Sequence, residues 1–551
     1  MVSSLSQPLD YLIIGGGPAG LQLGYEFEES GVSYEILEAG DQVGDFFNKY
    51  PRHRKLISIN KVYTGCDDPR VNLRWDWNSL LTRDHSLLFR DYDRDYFPHP
   101  DALVKYLGDF ADKYGLKVRC QTKVVNVSKD EDVFCVTDQH GHEHVAKVVI
   151  VATGVWKPYV PPIAGIEHAE SYNNVSVDPE DFAGQRVLII GKGNSAFETA
   201  DNLVGTTALI HLVSPTTVKF AWRTHHVGHL RAVNNNLLDT YQLKSQNALL
   251  DADVMSIESK SGKLKVGFRY QHADDEIEMI EYDRVIYCTG FQFDNSLFDE
   301  SCRPELAIEN RFPNQTSRWE STNVPGLHFA GCLMQMRDFK KKQSAFIHGF
   351  RYNVRLLGRQ LTEHYQGIPL HFKSVKPCGD ELSRAVLDRI NQGSALFQQD
   401  GFLCDLIVPD RDRKASAKFY EELSCDYVHD VWGQDCDEYY TITMEFGQDR
   451  INEAANVFAI ERPHKDDVDR ADESWAIHPI IRRWSRGKLV STHHVIEDLN
   501  SVWDSDKHLN PLADYFRLQL TRPGLGVVGD DCMPGQVMPP ASSESPISPQ
   551  Q

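Results

Sequence analysis

Two strand–glycine-turn–helix stretches, two strands that end in Thr-Gly, and a late change of composition predict an α/β protein. The expected architecture is two Rossmann-like dinucleotide-binding domains, the first discontinuous and the second inserted into it, followed by a C-terminal α+β region. The stretches are DYLIIGGGPAG at 10–20 and RVLIIGKGNSAFETA at 186–200. The Thr-Gly turns are Thr153-Gly154 and Thr289-Gly290. A chain of 551 residues is too long for one core. The limits read from these signals are 1–165 and 291–366 for the two parts of the first unit and 166–290 for the inserted one. Residues 367–540 form the C-terminal region, and 541–551 a disordered tail.

In the first stretch, the apolar run from Tyr11 to Ile14 reads as a strand buried on both faces, and the glycines then turn the chain into a helix. Gly15 permits the turn, Gly17 has no Cβ to obstruct a pyrophosphate, and Gly20 lets the helix pack closely, while the helix N-terminus faces the anion. The next strand, 34–37, ends at Glu38, where a carboxylate can take both hydroxyls of an adenosine ribose. Residues 40–65 carry aromatics and five Lys or Arg but few helix signals, as expected of a loop that lines a site. A helix is expected over 101–114, strands around 118–127 and 133–137, and a buried strand at 147–151 that runs into Thr153 and Gly154. The small residues there let backbone approach a ligand.

The second stretch repeats the pattern with Gly191, Gly193 and Ser195, and Ala196 stands at the third glycine position. The following strand, 209–213, ends in Ser214 and Pro215 without an acid, and Lys219 and Arg223 lie just beyond. A missing ribose carboxylate beside two cations suits a 2′-phosphate, so NADPH is expected over NADH. A strand at 283–287 leads into the second Thr-Gly turn and returns the chain from the inserted unit. NVPGLHFAGC at 323–332 then supplies a turn, a buried strand and Gly331, with a helix expected from 343 to 357. The pattern resembles that of two-dinucleotide flavoproteins, in which this last strand–helix junction closes on the flavin, and that resemblance implies FAD at the first site with Gly331 beside it. Beyond Gln366 the glycine turns after strands disappear, and 367–551 reads as a separate region.

The net charge of −21 is spread along the chain, which argues against nucleic acid and anionic membrane surfaces as partners. No apolar run reaches the ~20 residues of a membrane span. The first ten residues lack the basic and apolar segments of a secretory signal, so a cytoplasmic location is expected. The eleven cysteines contain no CxxC. His493-His494 lacks a third ligand at metal spacing and reads as a structural pair, with no metal expected.

With these motifs in hand, the chain resembles the flavin-containing monooxygenase and pyridine nucleotide-disulfide oxidoreductase superfamily. Within it, the chain is similar to the ERFAD-like FAD-dependent oxidoreductases, flavoproteins of the endoplasmic reticulum. That likeness rests on YPRHRKLISINKVYTG (50–65), DWNSLL (76–81), YLGDFAD (106–112), SVDPEDFAG (176–184) and GNSAFETA (193–200). LLDTYQLKS (237–245), FIHGFRYNVR (346–355) and THHVIED (492–498) extend it. The resemblance implies the endoplasmic reticulum as an alternative location and a role in protein quality control as an alternative function. The monooxygenase signature F-x-G-x-x-x-H-x-x-x-F/Y is altered here, with His168 one place early after Gly165.

The expected activity is NADPH-consuming oxygen insertion from O2 into a small nucleophilic substrate, an amine above all, through a flavin hydroperoxide. Asn60 is the candidate catalytic residue, because Ser58-Ile59-Asn60 matches the S/T-x-N stretch that places an asparagine beside the flavin in such monooxygenases. A turn asparagine is the plain alternative. Arg52, Arg54 and Lys55 are candidates for a substrate carboxylate, or equally for FAD phosphate. A thiol–disulfide reductase is the competing enzyme reading. It needs two adjacent cysteines at the flavin, and Cys288 and Cys332, both at strand ends, read as buried structural thiols. A flavin-bearing interaction protein is the third reading.

Overall fold

The computed structural model describes residues 7–224, 228–242, 247–410, 416–454, 456 and 459–521. The tail at 541–551 and the end of the 237–245 motif lie outside them. At the centre of the first sheet is Leu9–Ile14, whose Tyr11, Leu12 and Ile13 are fully buried because both faces are covered. It pairs in parallel with Tyr34–Leu37 on one side and Glu143–Val151 on the other, and Val118–Arg119 extends the edge. The nine-residue strand Glu143–Val151 has two neighbours on its far side. Its first half pairs antiparallel with Val133–Asp138, and its last residues take Leu327–Phe329 in parallel, Leu327 opposite Val149 and Phe329 opposite Val151. The chain therefore returns to its first sheet some 175 residues after leaving it, and the first dinucleotide-binding domain is discontinuous.

The inserted domain is a five-stranded parallel sheet in the order Ala248–Asp251, Leu209–Ser214, Arg186–Ile190, Arg284–Tyr287, Glu170–Ser171. A three-stranded antiparallel sheet, residues 253–282, packs beside it. The two crossings between the domains run side by side, Lys157–Pro158 pairing antiparallel with Phe291–Gln292.

The helix expected over 343–357 runs Ile347–Gln366 instead, ending at Gly367 in the left-handed conformation. Its second half carries Arg355, Arg359 and Glu363, which in sequence resemble an exposed helix end. In the structure that half is buried on two sides: Val354, Leu357 and Leu361 pack in one continuous core with Leu21 and Leu23 of the helix Pro18–Ser30 and with Leu403, Ile407 and Tyr439 of the C-terminal sheet. That sheet is six-stranded and antiparallel, in the order Lys373–Val375, Ala417–Ser424, Leu403–Pro409, Tyr439–Glu445, His478–Ser485, Lys488–His494. The C-terminal region thus shares the core of the first domain. On its last strand His493 and His494 alternate faces: His493 stacks on Tyr515, and His494 Nδ1 meets His478 Nε2 at 3.0 Å. Among the described residues no helix is long and apolar enough to cross a membrane.

Candidate functional site

Gly15 sits at φ +113°, and a Cβ there would lie 2.7 Å from the Ala152 carbonyl oxygen, so only glycine allows the strand to turn against its neighbour. A Cβ on Gly20 would lie 2.0 Å from the Gly15 carbonyl oxygen, so glycine is what lets the helix begin so close to the turn. A Cβ on Gly17 would meet nothing within 4 Å. Its space opens into a cavity of about 760 Å³, whose walls also include Glu38, Thr153, Gly154 and Gly331. Gly17 caps the helix Pro18–Ser30 without a side-chain hydrogen bond, which leaves the first N–H groups of the helix for an anion. Both oxygens of Glu38 accept backbone N–H groups, from Gly16 at 2.6 Å and Gly40 at 2.7 Å. Each keeps a lone pair for a hydroxyl.

The second turn reaches the same cavity from the other side, through Asn194, Ser195 and Glu198 on the helix Asn194–Leu203. Gly191 is at φ +130°, where a Cβ would lie 2.4 Å from the Cys288 carbonyl oxygen, and Ala196 is fully buried. This turn is more crowded than the first. A Cβ on Gly193 would come within 3.2 Å of the Gly228 carbonyl oxygen, and Asn194 donates to the His229 carbonyl at 2.8 Å and accepts from the Arg231 N–H at 3.0 Å. Lys192, buried inside the glycine turn, is ion-paired with Asp251 at the end of the edge strand Ala248–Asp251, two places across the sheet. Lys219 is exposed, whereas the Arg223 guanidinium is directed to the carbonyls of Asn452 at 3.4 Å and Ala454 at 3.3 Å.

Residues 12–331 match the pyridine nucleotide-disulphide oxidoreductase family. The chain belongs to that family. It is 37% identical over 560 residues to the FAD-dependent oxidoreductase domain-containing protein 2 of Mus musculus, covering 92% of this chain and 83% of the relative. It is 32% identical to the protein of the same description from Danio rerio, covering 92% and 82%. A flavin-containing monooxygenase from Stenotrophomonas maltophilia shares the fold, with a TM-score of 0.50 at 22% identity over 65% of this chain and 99% of that one. The protein is a FAD-dependent oxidoreductase, and the open space at Gly17, the uncapped helix and the oriented Glu38 fit an adenine dinucleotide in the first domain.

Of the expected site residues, Gly15, Gly17, Glu38, Thr153, Gly154, Ser195 and Gly331 lie on the cavity wall, whereas Gly20, Gly191, Gly193, Ala196, Lys219 and Arg223 lie off it, as do Asn60, Arg52, Arg54 and Lys55. Asn60 is buried, but its amide donates to the Asp93 carbonyl at 2.7 Å, and its backbone N–H goes to Tyr96. It therefore holds the loop 93–96. Arg52 crosses to the inserted domain and donates to the carbonyls of Tyr172 at 2.6 Å and Val175 at 2.7 Å. Arg54 donates to the Phe47 carbonyl at 2.8 Å and is ion-paired with Asp101. Lys55 is exposed. Arg52 and Arg54 thus clasp chain segments together, their guanidinium donors taken by carbonyl oxygens and, for Arg54, by the Asp101 carboxylate.

Sequence reasoning passed over two groups. Glu198 lines the cavity and accepts from the Tyr172 hydroxyl, and burial pushes its carboxyl up to about 7. Its signal was there, an acid one turn into the second glycine-turn helix. Arg231 stacks over the Phe346 ring at 5.0 Å and the Trp77 ring at 5.7 Å, and its buried Nε and one terminal nitrogen have no hydrogen-bond partner among the described residues. Burial lowers its pKa to about 10. No motif marks it. Among the described lining residues Cys332 is the single cysteine. Its thiol donates to the Ala345 carbonyl at 3.1 Å, and burial pushes it up to about 12. Cys288 is buried behind the Gly191 turn, its thiol raised by burial and by nearby Glu198. The thiols that do touch, Cys404 and Cys425, belong to the C-terminal sheet and its helix and lie off the cavity.

Proposed function

We propose that this FAD-dependent oxidoreductase oxidises NADPH and places one atom of O2 on a small nucleophilic substrate, an amine being the favoured class. The other oxygen atom leaves as water. Residues 1–165 and 291–366 hold FAD in this reading through Gly15, Gly17, Gly20, Glu38, Thr153, Gly154 and Gly331. Residues 166–290 hold NADPH through Gly191, Gly193, Ser195, Ala196 and Lys219, and residues 367–540 buttress the first domain. The observation that carries the reading is a cavity lined by the first glycine turn and by the start of the helix after the second, with one high-pKa thiol on its wall. A dithiol relay needs a second sulfur beside the first, and a thiolate near neutral pH.

When bound, FAD supplies hydride acceptance and O2 activation. The chain supplies the surroundings. Tyr50, Phe346 and Phe350 give the cavity an aromatic wall that excludes water. Glu198, half-protonated near neutrality, can hold or release a proton at Oε1 or Oε2, with Tyr172 fixing the carboxyl's orientation. The test is NADPH consumption under O2 with and without candidate amines, reading oxygenated product against H2O2. Amine-stimulated consumption coupled to product supports the reading. Reduction of a disulfide substrate at the same rate with and without O2, and no oxygenated product, overturns it.

A further inference from the structure

A second cavity, of about 880 Å³, lies on the far side of the first domain, between the helices Pro18–Ser30 and Ile347–Gln366 and the C-terminal sheet. It shares no lining residue with the flavin cavity. Its size suits a small organic molecule. Its charge is out of keeping with the rest of the chain: in a protein of net charge −21, six cationic side chains line it against four carboxylates.

Two of the four carboxylates are ion-paired, Asp388 is exposed, and Glu26 accepts from Gln22 and lies near enough to Arg355 and Arg359 to feel their charge. Glu422 is ion-paired with Arg355 and, at 2.8 Å, with Arg389, while Glu421 takes Lys373 and, at 3.2 Å, Arg389 again. At the rim Arg83 is held by Glu29 at 2.6 Å and Arg70 by Asp68 at 2.7 Å. Arg359 is left over. It stands four residues after Arg355, on the same face of the helix, and its guanidinium has no hydrogen bond or ion pair among the described residues. Burial, then the charge of Arg355, lower its pKa, against the nearby charges of Glu422, Glu26 and Glu421, which raise it. The Nε of Arg355 is buried without an acceptor among the described residues, whereas the Arg359 guanidinium faces the cavity, where an added anion can meet it. Beside these donors the wall offers Leu370, Tyr352 and Phe419, an apolar face for the body of a ligand.

We propose that this cavity binds a small organic molecule bearing a multiply charged oxyanion, with the oxyanion on Arg359 and the Nε of Arg355. The site is separate from the dinucleotide sites, and the proposal goes beyond the oxygenase reading and does not depend on it. The two helices that wall it also reach the flavin cavity, through Pro18 and Ala19 on one and Ile347 and Phe350 on the other.

Calorimetric titration of the FAD-loaded full chain at low ionic strength tests it, using pyrophosphate, ATP and citrate in separate arms to distinguish a phosphate from a polycarboxylate source. Binding of at least one probe is expected, weakened about tenfold or more by Arg359→Gln, the loss expected when one charge-assisted contact is removed. The same variant separates this site from the NADPH site, where an added phosphate could also bind. Lys373→Gln at the exposed rim, which leaves the core untouched, is expected to weaken binding about threefold, the size of a partly screened charge. Failure of all three probes to bind at millimolar concentration, or binding unchanged by both substitutions, overturns the proposal. Flavin content and melting temperature of each variant, measured alongside, distinguish loss of the site from loss of the fold.

Discussion

The two glycine turns are alike in sequence and differ in what they face. At the first, the position that must stay bare is Gly17, where a Cβ would project into open cavity, and an acid at the end of the next strand is held ready by two backbone N–H groups. At the second, the corresponding Gly193 lies under the Gly228 carbonyl, Asn194 is bonded on both sides by residues 229–231, and Lys192 is neutralised by Asp251. One turn is open and the other is partly covered by its own chain. A glycine pattern therefore states where backbone must come close, and the residues around it decide whether the close approach is to a ligand or to protein.

Gly17→Leu gives the largest contrast. The fold has room for the side chain, and the ligand does not, so the purified variant is expected to remain folded and lose its flavin by about a hundredfold or more in affinity, as steric exclusion from a pyrophosphate site implies. Visible flavin absorbance per chain checks this, and a variant with stoichiometric FAD would remove the central premise. Gly20→Ala comes next and fails differently. With the new methyl 2.0 Å from a backbone oxygen, something must move, and a loss of at least ~3 kcal/mol in unfolding free energy is expected. Ala196→Gly, at the matching place in the second turn, removes a buried methyl and adds helix entropy, a loss of ~1–2 kcal/mol. Equal losses in chemical denaturation would show that the two turns are packed alike.

The same contrast explains what was legible in the sequence. The strand–glycine–helix units and the strand at 327–329 were readable because each rests on a local pattern of a buried run, a turn and a glycine, whereas the return of that strand to the first sheet was expected from the arrangement of the two-dinucleotide flavoproteins the chain resembles. Arg52 and Arg54 were not readable, since Arg52 meets carbonyl oxygens 120 and 123 residues away and Arg54 shares its donors between the Phe47 carbonyl and the Asp101 carboxylate, and a carbonyl has no sequence signature. Asn60 shows the same blindness. The triplet 58–60 looked like a cavity edge, and Ser58 is on that wall, but the amide two residues on faces the backbone at 93–95. The expected helix stopped at residue 357, and the structure carries it on to Gln366 under a C-terminal sheet whose docking is a long-range fact.

Coenzyme choice sharpens the comparison further. With no ribose carboxylate after Val213 and Lys219 exposed nearby, kcat/KM is expected to favour NADPH over NADH by about tenfold or more, the worth of one charge-assisted contact to phosphate. Lys219→Ala should bring the two coenzymes close to parity. Arg223→Ala should change the ratio little, because its guanidinium is already directed to the Asn452 and Ala454 carbonyls. A clear preference for NADH sinks the assignment of the second turn.

The smallest expected effect concerns Glu198, which sits where the two turns meet. Its carboxyl is raised from 4.5 to about 7, chiefly by burial. Below the lower value it is protonated both folded and unfolded, and pH has no leverage. Between the two values the unfolded chain has released a proton that the folded chain still holds, so stability falls as pH rises, and above about 7 the penalty is constant. Glu198→Gln keeps an acceptor for the Tyr172 hydroxyl and removes the titration. The variant's stability advantage over the parent should therefore be near zero around pH 4.5, grow up to about pH 7 and then level off. Because Glu198 is only half-buried, the plateau is discounted to ~1–2 kcal/mol. Thermal melts across that range measure it. A difference that does not change with pH would mean that the carboxyl titrates normally, and the proton-holding role at the junction of the two turns would be lost with it.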